Sequence, residues 1–133
     1  MMFVDTGAFV GRFIIDDQFH SRALQLWDKA ADARETFATS NFVLAETITL
    51  TARRSHQQFA AEKARLIYSS SAFNILRPSL EDELAAFEWF QKYADQKVSF
   101  TDCVSFVLMM KAGIGTAFSF DRHFELAGFK LWA

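Results

Sequence analysis

Four carboxylates stand where their apolar neighbours give them little reason to be. Asp102 lies one turn into the helical pattern VSFTDCVSFVLMM, residues 98–110. Asp5 directly follows the apolar opening MMFV, and Asp121 directly follows TAFSF. Glu46 lies inside NFVLAETITL, with Phe42 and Leu50 one turn away on either side. Burying an unpaired carboxylate is expensive, and carboxylates brought together repel unless a cation sits between them. Hard oxygen ligands of this kind favour Mg²⁺ or Mn²⁺ over zinc. The chemistry that suits acids around such a cation is phosphoryl transfer, in which metal ions activate water and stabilise the leaving oxygen. If Asp5, Glu46, Asp102 and Asp121 meet in space, the expected activity is metal-dependent cleavage of a phosphodiester.

Each acid also has an ordinary reading. An aspartate after a strand is often a turn or cap residue, which covers Asp5, and Asp121 can simply start a helix. Asp102 is the fourth residue of Ser99-Phe100-Thr101-Asp102, the spacing of a capping box, although that box prefers Glu or Gln. Glu46 is hardest to dismiss, because a carboxylate on that apolar face needs a partner; Arg53 or Arg54, two turns on, could supply one. All four ordinary readings must hold together for the site to vanish. The histidines His20, His56 and His123 form no zinc pattern and read as surface or packing residues. Only His123, two residues after Asp121, is close enough in sequence to keep in view.

The elements that must position these acids alternate between strand and helix. Residues 1–4, 36–39, 73–76, 116–120 and 129–132 read as short apolar strands. The first is expected to turn at Asp5-Thr6-Gly7, where glycine frees the backbone. Helices are expected over residues 8–15, 18–31, from Ser40 or Asn41 to about 54, 57–70, from Ser79 to about 94, and from Ser99 to Gly113. Residues 121–127 read as a short helix or turn. Ser79 followed by Glu81, Asp82 and Glu83 is a helix start with acids at the positive end of the dipole. Short apolar strands without in/out alternation suit a sheet covered on both faces. The expectation is a three-layer α/β/α domain with a mainly parallel sheet of four to five short strands.

In such a sheet the ligand crevice lies outside the carboxyl ends of the strands. Asp5 and Asp121 project there. Helices begin near that same edge, so Asp102 and Glu46, close to the starts of their helices, are expected on the same side.

Composition narrows the classes. The 133 residues suit one domain over residues 1–133, and 51% are hydrophobic, enough for a core without staples. A single cysteine, Cys103, excludes an intrachain disulfide and fits a reducing compartment. No apolar run approaches the ~20 residues that span a bilayer, and MMFVDTG reads as too short and acidic for a signal peptide. A cytoplasmic protein with no membrane partner is the expectation. The formal charge of −2 excludes bulk basic binding of nucleic acid, so such binding needs a local basic surface or a bound cation. The 16 phenylalanines carry no polar handle. Most should be buried, and any left outside mark a partner surface.

With these residues in place, the chain resembles a PIN domain, and within that family a VapC-type ribonuclease toxin of a type II toxin–antitoxin system. The resemblance rests on Asp5 in FVDTGAFV, Glu46 in NFVLAETITL, Asp102 in KVSFTDCVSFVLM and Asp121 in AFSFDRHFELAGF, and it covers essentially the whole chain. Each motif alone is weak; the four in this order and at this length are specific. The resemblance implies a metal-dependent, single-strand-selective endoribonuclease with the four acids as metal ligands. Asp5, Asp102 and Asp121 would hold the cation directly or through water, and Glu46 would hold a second cation or orient the attacking water. Thr6 and Thr101 match small hydroxyl positions beside the acids. Arg12, Arg53, Arg54 and Arg122 lie near the acids in sequence and are candidates for RNA phosphates, against the plainer reading of solvated surface charge. A homodimer and a cognate antitoxin partner are implied as well.

Rival readings fit less well. A response-regulator receiver domain needs an acidic pair after its first strand and a phosphoacceptor after a middle one; here Asp5 stands alone and FNILRPS offers no acceptor. Asp5-Thr6-Gly7 matches the aspartic-protease triplet, but that chemistry needs two such loops in an all-β body. Two alternatives stay open: a PIN-fold nuclease of RNA maturation or decay, and a PIN-fold module that binds RNA or protein without cutting.

Overall fold

A computed structural model describes residues 1–133, all of them placed. Five strands form one sheet: β1 (Met2–Val4), β2 (Phe37–Ser40), β3 (Phe73–Leu76), β4 (Thr116–Phe118) and β5 (Lys130–Leu131). The order is β3-β2-β1-β4-β5 and every neighbouring pair is parallel. Seven helices connect them: α1 (Thr6–Phe13), α2 (His20–Asp32), α3 (Asn41–Arg54), α4 (Gln57–Ser69), α5 (Leu80–Lys92), α6 (Phe100–Ala112) and α7 (His123–Leu126). Right-handed crossovers put α1–α4 on one face, because β1, β2 and β3 step one way across the sheet. They put α5–α7 on the other, because β4 and β5 step back past β1. The packed pairs agree: α1 with α2 and α3, α3 with α4, α5 with α6, α6 with α7. This is the expected α/β/α architecture.

β1 is buried along its whole length, as a central strand with helices on both sides must be. A single cluster of 25 buried apolar side chains runs through both faces. Phenylalanine does much of the filling: Phe3, Phe9, Phe106, Phe118 and Phe124 are almost wholly buried. Trp27 packs among Phe9, Phe37 and Phe118, and its indole N–H donates to the Ala8 carbonyl at 3.1 Å.

Three local expectations need correction. Gly7 does not turn the chain. Asp5 is the extended residue that caps α1, the helix starts at Thr6, and Gly7 is helical with no positive φ. β4 ends at Phe118 rather than residue 120, and just beyond it the Ser119 hydroxyl donates to the Asp5 carboxylate and accepts from the Asp121 N–H. The short segment after β4 becomes helix only from His123, with Asp121 and Arg122 as its turn.

The reversal of direction on either side of β1 creates a switch point. The ends of β1 and β4 diverge into helices on opposite faces, and a crevice opens between them. Asp5 leaves β1 there and Asp121 leaves β4 there.

Candidate active site

The four acids line one cleft of about 700 Å³ at the carboxyl edge of the sheet, together with Thr6, Lys97, Arg54, Arg122 and His123. Each acid arrives by a local device. Asp5 follows the buried β1 strand, and its N–H donates to the Phe118 carbonyl at 3.0 Å, which stitches the ends of β1 and β4 together. It occupies the cap position of α1, yet its side chain makes no capping bond. Its carboxylate instead accepts from Ser119 Oγ at 2.9 Å. The turn reading of Asp5 therefore explains its backbone and not its side chain.

Ser40 caps α3 through a hydroxyl that accepts from the Val43 N–H at 3.1 Å, so α3 starts as β2 ends. Glu46 is then in its second turn, half-buried, facing the cleft with no hydrogen bond or ion pair. Neither arginine partners it. Arg54 binds Asp17 and Asp16 instead, while Arg53 lies along a neighbouring groove that also touches Glu46.

Ser99 and Asp102 form a complete capping box: Ser99 Oγ accepts from the Asp102 N–H at 3.0 Å, and Asp102 Oδ2 accepts from the Ser99 N–H at 3.3 Å. Asp102 also lines the acid cleft. The capping and site readings hold together, because the cap fixes the carboxylate where the site needs it.

Asp121 is half-buried. Its N–H donates to Ser119 Oγ at 3.0 Å and its Oδ1 accepts from the His123 N–H at 2.9 Å. His123 Nδ1 lies 3.1 Å from Asp121 Oδ2 and 3.5 Å from Asp102 Oδ2. Donor atoms of Asp102, Asp121 and His123 lie within 4.8 Å of one another, a spacing that fits a metal ion.

The electrostatics point the same way. Burial pushes the Asp5 carboxyl up to about 7; the Asp102 and Glu46 charges push in the same direction, and Ser119 resists. Asp102 is also raised, first by burial and then by the Asp121 charge, against its bonds to Ser99 and the nearby His123. No lysine or arginine forms an ion pair with any of the four acids. Thr6 Oγ1 is buried beside them without a hydrogen-bond partner. Crowded oxygen donors lacking countercharge, with an orphaned hydroxyl among them, suit a hard divalent cation.

The other sequence candidates are spread out. Thr101 lines the neighbouring groove and uses its carbonyl to accept from Ser105 Oγ. Arg122 is at the cleft mouth, paired with Glu125. Arg12 lies elsewhere, over the Trp27 ring in an apolar groove between α1, α2 and α4. Sequence reasoning missed Ser119 altogether and singled out His123 only by its place two residues after Asp121. Ser119 sits two residues before Asp121, and only the tertiary pairing of β1 with β4 reveals what its hydroxyl does.

The comparisons agree with this geometry. The model of the PIN domain family matches residues 2–130. The chain is 36% identical over 129 residues to the 23S rRNA-specific endonuclease VapC20 of Mycobacterium tuberculosis, strains CDC 1551 and H37Rv, covering 97% of this chain and 95% of that protein. The crystal structure of M. tuberculosis VapC20, a toxin that cleaves the sarcin–ricin loop, superposes with a TM-score of 0.87 at 33% identity, covering 97% and 96% of the two chains. Buried β1, the acid-lined switch point and these likenesses place the chain in the PIN domain family, alongside the VapC-type toxin endonucleases.

Proposed function

We propose that this chain is a Mg²⁺- or Mn²⁺-dependent endoribonuclease, the toxin of a toxin–antitoxin pair, with Asp5, Glu46, Asp102 and Asp121 as its metal-holding acids. Asp5 carries the reading: a buried carboxyl, pushed up to about 7 beside Asp102 and Glu46, with no basic partner. A divalent cation supplies countercharge to these carboxylates and Lewis acidity toward the scissile phosphate. Ser119 and the Ser99 cap hold Asp5 and Asp102 in position, and His123 orients Asp121. Glu46, free of hydrogen bonds, would hold a second cation or orient the attacking water. As the water oxygen bonds phosphorus and the bond from phosphorus to the leaving ribose oxygen breaks, the proton from the water passes to that ribose oxygen. Arg53 is the candidate for a flanking phosphate, and Arg54 and Arg122 join it only by exchanging their present carboxylate partners. Arg12 drops out of that set because it is engaged with Trp27 in another groove.

The likeness to VapC20 makes a structured loop of ribosomal RNA the substrate class to try first, in the cytoplasm. Two surfaces support protein partners. The groove holding Arg12 is lined mostly by apolar side chains, with Lys63 as its second cation, and suits an acidic amphipathic segment of an antitoxin. The apolar residues Leu80, Leu84 and Phe87 are exposed along α5 and suit a second copy of the chain.

The deciding experiment incubates purified protein with a mixed-sequence single-stranded RNA and with a sarcin–ricin loop RNA, with Mg²⁺ or Mn²⁺. EDTA and Asp5→Asn are the controls. Cutting that needs both metal and Asp5 is expected. Cutting by Asp5→Asn at the wild-type rate sinks the site assignment, and no cutting of either RNA under any metal leaves a binding module as the better reading.

A further inference from the structure

At the lip of the acid cleft two aromatic rings lie face to face. Phe19 and Phe120 have centroids 4.5 Å apart and planes within 7° of parallel. Phe120 immediately precedes Asp121, so its ring is fixed one residue from a candidate metal ligand. It lies across a bare strip of α1, where side-chain atoms added at Gly7 and Gly11 would come within 3.7 and 3.6 Å of the ring. Phe19, stacked on Phe120, remains 37% exposed and lines the same cleft as the acids.

We propose that Phe19, stacked on Phe120, is a platform that receives one unstacked nucleobase of the RNA beside the scissile phosphate. This rests on the RNA-substrate part of the reading above. Three observations carry it. The first is exposure. Rings that serve only the core are buried, as Phe9, Phe37 and Phe118 are, whereas Phe19 keeps 37% of its surface exposed where it lines the acid cleft.

The second is rigidity. The segment before α2 is tied down: the Asp17 carboxylate accepts from the Phe19 N–H at 2.9 Å and binds Arg54 of α3, and His20 Nδ1 lies 2.8 Å from the Gly11 carbonyl oxygen. A platform held in advance spares the cost of ordering a loop on binding. The third is charge. Of the cleft's cations, Arg54 is engaged by Asp17 and Asp16 and Arg122 by Glu125, which leaves Lys97 without an acid partner. A cleft with four acids and one unengaged cation does not hold a polyanion by charge alone. Stacking supplies the missing affinity, and it tolerates any sequence because every base has a π-face. The platform thus selects for looped or single-stranded RNA, whose bases can leave the stack.

The test separates this from the nuclease reading. Cleavage of a mixed-sequence single-stranded RNA by wild-type protein with Mn²⁺ addresses the nuclease alone. The platform is read by fluorescence anisotropy, with a single-stranded RNA of about five nucleotides, short enough to bind in one register, held by Asp5→Asn protein. Phe19→Leu on that background is expected to weaken binding about tenfold, and Phe19→Trp or Phe19→Tyr to restore it. One abasic position in the RNA should weaken binding to a similar extent, with no further loss when combined with Phe19→Leu. In the active enzyme Phe19→Leu should raise KM and leave kcat nearly unchanged. Equal binding by Phe19→Leu, additive losses at every abasic position, or an Asp5→Asn protein that does not hold RNA overturns the proposal. If Phe19→Leu does not fold, the abasic scan and the Phe19→Trp variant decide alone. If wild type does not cut but the scan finds its position, the nuclease reading falls and the platform stands.

Discussion

At the scale of single residues, Asp5 ties stability to acidity and to metal. Its carboxyl has an ordinary value of 3.8 and is pushed up to about 7 in the fold. Between those pH values the native chain keeps a proton that the unfolded chain releases, so stability falls as pH rises through that window. Above about 7 the whole cost is present. In EDTA the melting temperature of wild type should therefore drop relative to Asp5→Asn between about pH 4 and pH 7, by about 5 °C or more. Saturating Mn²⁺ at pH 7.5 should close the gap for wild type only. A difference that stays flat with pH would mean that the Asp5 carboxylate is solvated. Ser119 and His123 act on the acids rather than in their place. Ser119→Ala and His123→Ala should each weaken Mn²⁺ binding by roughly ten- to a hundredfold, read by titration calorimetry, while the fold persists. The Ser119 role was not legible in the sequence, because its Asp5 partner is supplied only by the pairing of β1 with β4, whereas His123 stands two residues from the Asp121 it bonds.

At the scale of elements, α6 shows how a cap can serve a site. The Ser99–Asp102 box ends the loop and presents the carboxylate in one motif. Ser99→Ala removes the acceptor for the Asp102 N–H and should cost about 1 kcal/mol of stability, with weaker metal binding as the sign that the carboxylate has come loose. Asp102→Asn keeps a side-chain oxygen for the Ser99 N–H and removes a charge that burial disfavours. It should melt at or above wild type in EDTA and bind no metal tightly. A clearly lower melting temperature would show that the cap needs the charge. Such devices were readable beforehand because they are local. β3 has the expected bounds, residues 73–76, and α6 ends at Gly113 as expected. The strand–helix junction at Gly7 misled for the converse reason. Glycine reads as a turn by local rules, whereas here the bare face of α1 is occupied by Phe120, two residues beyond the end of β4.

At the scale of the whole molecule, the alternation of strand and helix predicted the layers. The position of the acids at strand ends and helix starts predicted which edge of the sheet they share. What no local pattern carries is which phenylalanines stay outside. Leu80, Leu84 and Phe87 follow helical spacing and look like core positions, yet all three are exposed on α5. If a second copy covers them, Leu84→Glu should shift wild-type dimers to monomers in sedimentation velocity without lowering the melting temperature of the protomer. A wild-type monomer at micromolar concentration would remove that role for the stripe.

The hydrogen bond from Ser119 to Asp5 joins residues 114 positions apart. The centre is therefore absent from any chain whose synthesis stops before β4. A ribosome making this protein holds a nascent product with Asp5, Glu46 and Asp102 but no Asp121 and no Ser119 to seat Asp5. The acid cleft is thus complete only once β4 and the residues after it have been made and threaded beside β1.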